Sequence, residues 1–253
     1  MRVGLTVYYT LLLPKSAAPA FPNALDALGK LREYCIGQDF CNVSTIDEFD
    51  SEDRGNPEDE AIEQLVFGQW TQLLFEEGKK PPEEAVSRDI MPSRAARFLI
   101  HPAEGCESAS FGVSDLPAEI QGYPTVVGSN WYWRSFCKTQ YVSVHSIEKF
   151  IEVHRALIRV FDCAVAIGFD VDVRDDGSYW ETRDEAVLVE KIGHMNRMVA
   201  RVAGAFKDVA DEQDSDGRVA APIFGHPQFE RLEAEAEGEA EIMGERDNGK
   251  APE

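Results

Sequence analysis

Basic residues are scarce in this 253-residue chain: 25 Lys and Arg stand against 46 Asp and Glu, a formal net charge of −21. Such a balance repels phosphate backbones, and no local basic patch offsets it, so no nucleic-acid partner is expected. Long hydrophobic runs are also lacking. No stretch approaches the ~18 apolar residues of a transmembrane helix, so no membrane partner is expected either. The five cysteines, Cys35, Cys41, Cys106, Cys137 and Cys163, are odd in number and form no C-x-x-C pair. A disulfide framework is therefore not expected, and reduced thiols in a cytoplasm are the simplest reading. The P-loop, G-x-G-x-x-G and G-x-S-x-G patterns are missing, which removes nucleotide binding by those motifs and a nucleophile elbow.

What is present is unevenly spread. Residues 208–253 carry a net charge of −10 and residues 47–63 a net charge of −8, leaving −3 for the rest. The body is thus near neutral, and the acidity lies in two segments suited to remain solvated. Arg2, the apolar stretch to Leu13 and Ala17–Ala20 loosely mimic a leader peptide. Polar residues interrupt that stretch, however, and Val3, Leu5, Val7 and Tyr9 alternate as in a half-buried strand over about 2–12.

A helix is predicted from Asn23, as N-cap, to Gly37, followed by a short strand within 40–49. Asn56-Pro57-Glu58 reads as a helix start, with an apolar stripe to Leu74 in which 70–75 fits helix or strand equally. Short strands are expected at 96–100 and 109–113, loop at 117–130, and the longest strand at 131–142. Ile147, Phe150, Ile151, His154, Leu157, Ile158, Phe161 and Val165 mark the clearest helix, ending at Gly168. Phe169, Val171 and Val173 alternate with Asp170, Asp172 and Arg174. Thr182-Arg183-Asp184-Glu185 reads as a capping box, opening a helix with about 28 residues of apolar stripe. Residues 211–253 read as an acidic, partly disordered tail, including the biased run 233–241.

Three stretches carry chemistry. His101, Glu104, Cys106 and Glu107 bring imidazole, thiol and carboxylates into seven residues, yet their spacing matches no metal signature and Gly105 more simply makes a turn. No metal or cofactor is therefore assigned. Asp175-Asp176-Gly177 is turn chemistry first, and Tyr179-Trp180 packing. Glu181 with Glu107 would be the carboxylate pair of a hydrolase. On the strand at 131–142, alternation puts Arg134, Phe136, Lys138 and Gln140 on one face, able to hold an anion or to pair with neighbouring acids. His154 lies on an apolar helix face and reads as a core histidine.

Tyr8-Tyr9-Thr10, Gly105-Cys106-Glu107, Lys138-Thr139-Gln140-Tyr141 and Gly177-Ser178-Tyr179-Trp180-Glu181 together resemble a family of uncharacterised bacterial proteins, over roughly 2–210 and departing from it at 45–95. The resemblance implies one domain and transfers no catalytic role. The expected fold is a single α+β domain over 1–210, a mixed, largely antiparallel sheet with helices on one face and a division into two β-α-β halves. A pocket on the polar face is expected to gather Tyr8, Glu107, Arg134, Lys138, Gln140 and Glu181. The functional expectation is a cytoplasmic module binding a small molecule or a protein, with a homodimer contact through the 183–210 helix. The alternative is a carboxylate- or metal-dependent hydrolase using Glu107 and Glu181.

Overall fold

A computed structural model describes residues 5–51, 92–120, 123–144 and 146–212, together with Ile223 and Leu232. The expected helix start at Asn56, the 70–75 segment and most of the acidic tail lie outside these residues. The fold is α+β. Its main sheet is open, largely antiparallel and seven-stranded, in the order β2-β4-β5-β8-β1-β9, with β3 also paired to β4. The strands are β1 (Thr6–Pro14), β2 (Asn42–Val43), β3 (Asp47–Asp50), β4 (Arg94–His101), β5 (Ala109–Ser114), β8 (Asn130–Lys138) and β9 (Asp170–Asp175). A two-stranded ladder, β6 (Glu119–Ile120) and β7 (Tyr123–Pro124), occupies the expected loop. The helices are α1 (Phe21–Ile36), α2 (Ile147–Ile167), the single turn α3 (Tyr179–Thr182) and α4 (Glu185–Glu212). The chain passes from β8 to β9, the two neighbours of β1, through α2.

Local chemistry moves three predicted boundaries. α1 starts at Phe21, because Pro22 needs no donor in the first turn, and Asn23 reaches back to accept the Ala20 N–H at 3.2 Å instead of capping. β8 stops at Lys138, and Gln140–Val144 form a 3-10 helix. At α4 the cap is Asp184, whose Oδ1 accepts the Ala186 N–H at 2.8 Å. Thr182 instead belongs to α3, its hydroxyl donating to the Ser178 carbonyl at 2.6 Å. Left-handed backbone at Arg183 (φ 55°) separates the two helices.

The chain divides into two compact units. One comprises Tyr8–Cys137 and Arg155–Arg174. Its core is aromatic: Tyr9 stacks on Phe111 at 5.2 Å, Phe111 on Phe98 at 5.6 Å, and Phe161 of α2 tilts onto Tyr9 at 4.8 Å. Leu28 and Leu31 of α1 are fully buried in the same unit. Each such side chain contributes about 1.5–3 kcal/mol by leaving water.

The seam between β5 and β8 is closed by side chains. Ser114 pairs with Tyr132 there, and the Ser114 hydroxyl donates to the Tyr132 carbonyl at 2.6 Å. Further along, the Tyr9 hydroxyl (2.8 Å) and the Trp133 indole N–H (2.9 Å) both donate to the Ser110 carbonyl, and the Cys137 thiol donates to the Glu107 carbonyl at 3.2 Å. Gly112 makes room for the indole. A Cβ at this position would stand 2.6 Å from the Trp133 ring and 2.5 Å from the Ala96 carbonyl oxygen.

The other unit comprises Met1–Val7, Lys138–His154 and Asp175–Glu253. His154, fully buried, is the hinge of a polar chain. The Asp175 carboxylate only accepts, so Nε2 of His154 carries the hydrogen and donates to Oδ2 at 3.0 Å. Nδ1 then accepts the Thr139 hydroxyl at 3.0 Å. Asp175 also takes the backbone N–H groups of Gly177 (2.7 Å), Tyr179 (2.8 Å) and Trp180 (3.0 Å), which ties the turn and α3 to it. Burial alone would raise this carboxyl, but the hydrogen bond and electrostatic pull of His154, with the Trp180 and Gly177 N–H donors, outweigh it and hold it below the ordinary aspartate value. Nearby, Ser143 and Asn196 bond each other at 3.1 Å. Ile223 and Leu232 are buried against Ala200 and Ala203 of α4.

Candidate functional site

The antiparallel order sends β3 and β5 to finish where β4 and β8 begin. Their ends, the residue after β1 and the start of α1 line a cleft of about 420 Å³ in the sheet-bearing unit. Backbone bonds fix its walls. The Lys15 N–H donates to the Ser129 carbonyl (3.1 Å), Asp115 N–H to the Arg94 carbonyl (2.7 Å), and Ser51 N–H to the Ser93 carbonyl (2.9 Å). The Trp131 indole N–H donates to the Ala18 carbonyl at 2.7 Å, which anchors the loop leading into α1.

Two ion pairs face this cleft. Lys15 Nζ stands 2.6 Å from Asp115 Oδ1, and Arg94 Nε stands 2.7 Å from Asp50 Oδ2. All four side chains keep roughly a quarter to two-fifths of their surface in water (33% and 31%, 44% and 27%). At that exposure an ion pair stabilises by only about 0–1 kcal/mol, so either partner can be exchanged for a ligand's charge at little cost. Lys15 Nζ also lies 5.0 Å from the Trp131 ring centroid, and the Phe21 ring leans on the same indole at 5.7 Å. Among the described residues, two cations and two carboxylates thus line the cleft beside an apolar wall.

The expected site residues are distributed differently. Tyr8 is half-buried, with its ring 6.1 Å from Phe136 and the Arg174 guanidinium 4.3 Å above it. Arg134 is exposed on β8 and Lys138 is half-buried at its end. Gln140 leaves that face altogether. It is buried in the 3-10 helix, and its Oε1 accepts the Leu5 N–H. The strand ends two residues before it, so the alternation that placed it beside Lys138 does not extend that far.

Glu107 is half-buried in one unit, and Glu181 is exposed on α3 in the other. His101 bonds the Ser108 hydroxyl at a long 3.5 Å, Glu104 is exposed, and Cys106 is buried. Among the described residues no three His, Cys, Asp or Glu side chains gather to hold a metal ion. Burial pushes the Cys106 thiol up to about 12, which keeps it protonated and a poor ligand or nucleophile. Gly105 adopts φ 85°, the turn its sequence position suggested.

Lys15, Asp50, Arg94 and Asp115 escape sequence reading because the first pair joins residues 100 positions apart. The usable signal is weak: charged residues set immediately at strand ends, in Pro14-Lys15 and in Asp115-Leu116-Pro117. Such ends carry binding groups in many folds, but their grouping depends on strand order. Among the described residues no helix is long and apolar enough to cross a membrane. Comparison of the chain with protein-family models, with curated proteins and with solved structures finds no match.

Proposed function

We propose that the protein is a ligand-binding module for a small polar molecule, and that the cleft bounded by Lys15, Phe21, Asp50, Arg94, Asp115 and Trp131 is its binding site. The observation that carries this reading is the convergence of two water-exposed ion pairs on one concavity. The volume, about 420 Å³, falls in the range of roughly 300–1,000 Å³ typical of small-molecule sites. Backbone bonds hold the main chain around the cleft in place before a ligand arrives, so the ordering cost of binding falls on the side chains alone.

The reading is tested by ligand-observed NMR with a library of charged and polar fragments on the full chain. Hits are expected to bind wild type and to lose at least about tenfold in affinity in the double variant Lys15→Met/Arg94→Gln, given the strength of charge-assisted hydrogen bonds. A library without any hit, or hits indifferent to both substitutions, would remove the cleft as the site.

A further inference from the structure

Resting on that reading, we infer that the cleft selects a small zwitterion, a molecule bearing one anionic and one cationic group on a short apolar frame. Charge balance among the described lining residues sets the class. A lone anion drawn to Lys15 and Arg94 would meet Asp115 and Asp50 at the same positions, since these carboxylates lie 2.6 and 2.7 Å from the two cations. A lone cation meets the converse obstacle. An uncharged molecule leaves both pairs closed and gains no charge-assisted bond. A zwitterion can open both pairs and satisfy every member: its anionic group accepts from Lys15 and Arg94, while its cationic group donates to Asp115 and Asp50.

The aromatic wall narrows the class further. Trp131 is only 4% exposed and its ring already has the Lys15 ammonium 5.0 Å from its centroid. The indole face is therefore not open to stack a ligand's aromatic ring or to cage a quaternary ammonium. Half-buried Phe21, with Pro19 and Pro22 beside it, offers contact to a methylene frame instead.

The test is calorimetric titration of the full chain with 6-aminohexanoate and its shorter homologues, against hexanoate, hexylammonium and hexanol as one-sided and uncharged counterparts. A homologue of the amino acid series is expected to bind at least about tenfold more tightly than any counterpart. The variants add a readout that loss of structure would not imitate. Lys15→Met should weaken the zwitterion about tenfold while hexylammonium gains, because Asp115 is freed to receive it; Asp115→Asn should weaken the zwitterion and favour hexanoate. Thermal melts of both variants verify folding, and Arg94→Gln repeats the first pattern from the other pair. If hexanoate or hexylammonium binds wild type as tightly as any zwitterion, the ligand class is overturned while the cleft stands as a binding site. If no probe binds and the fragment library also yields nothing, the binding function itself fails.

Discussion

Gly112 shows how one missing Cβ decides a strand seam. The Trp133 indole lies where any side chain at 112 would stand, and the Ala96 carbonyl closes the remaining space. Gly112→Ala is therefore expected to destabilise the fold by about 1–3 kcal/mol through overpacking, read as a lower urea midpoint with an unchanged slope. Asp175 is the second decisive residue, because one carboxylate serves His154 and three backbone donors. Its folded-state value lies below the unfolded one, so its contribution is present above the unfolded aspartate value of about 4 and is lost as pH falls through the folded value. Wild type should thus lose stability on acidification below about pH 4. Asp175→Asn should already be destabilised by about 2–3 kcal/mol at neutral pH, and the difference should shrink in acid. Urea melts of both proteins between pH 7 and pH 3 measure this; parallel pH profiles would count against the account.

At the scale of elements, helix ends carry the testable content. Asp184 accepts the Ala186 N–H in the first turn of α4, and the Thr182 hydroxyl accepts the Asp184 N–H just before it. Asp184→Ala should cost about 1 kcal/mol and quicken amide exchange in the first turn of α4, whereas Thr182→Ala should act chiefly on α3. Ser178, at φ 57°, stands in the left-handed region at the start of α3. Ser178→Gly should therefore leave the melting temperature unchanged or raise it slightly, since relief of strain offsets the added chain entropy. A marked drop would show that the Ser178 side chain bears a role its geometry does not reveal.

Across the molecule, a strongly acidic chain contrasts with a cleft whose four charged groups, among the described residues, balance. Two residues of the acidic tail, Ile223 and Leu232, are buried beside Ala200 and Ala203. Truncation after Glu212 should uncover those alanines and speed amide exchange around 199–203, read by mass spectrometry, with the sheet-bearing unit unaffected. Sedimentation of the same truncation would show whether the bared face of α4 then pairs with a second copy.

Wherever hydrophobic period and end chemistry agree, local sequence sets the elements. Leu5, Val7, Tyr9 and the alternating residues of β9 face as their spacing demands, α2 runs from its Ser146 cap to Gly168, and the Asp-Asp-Gly turn and the core position of His154 follow from local rules. Where two signals competed locally, as at Asn23, Thr182 and Gln140, the outcome depended on a proline or a left-handed residue nearby, or on the buried N–H of Leu5 far along the chain. Tertiary structure alone decided the cleft. Lys15 with Asp115, and Asp50 with Arg94, become neighbours only because strand order brings their ends to one place. A charge at a strand end has no periodicity and no preferred neighbour in the chain, so its partner is set by topology rather than by spacing.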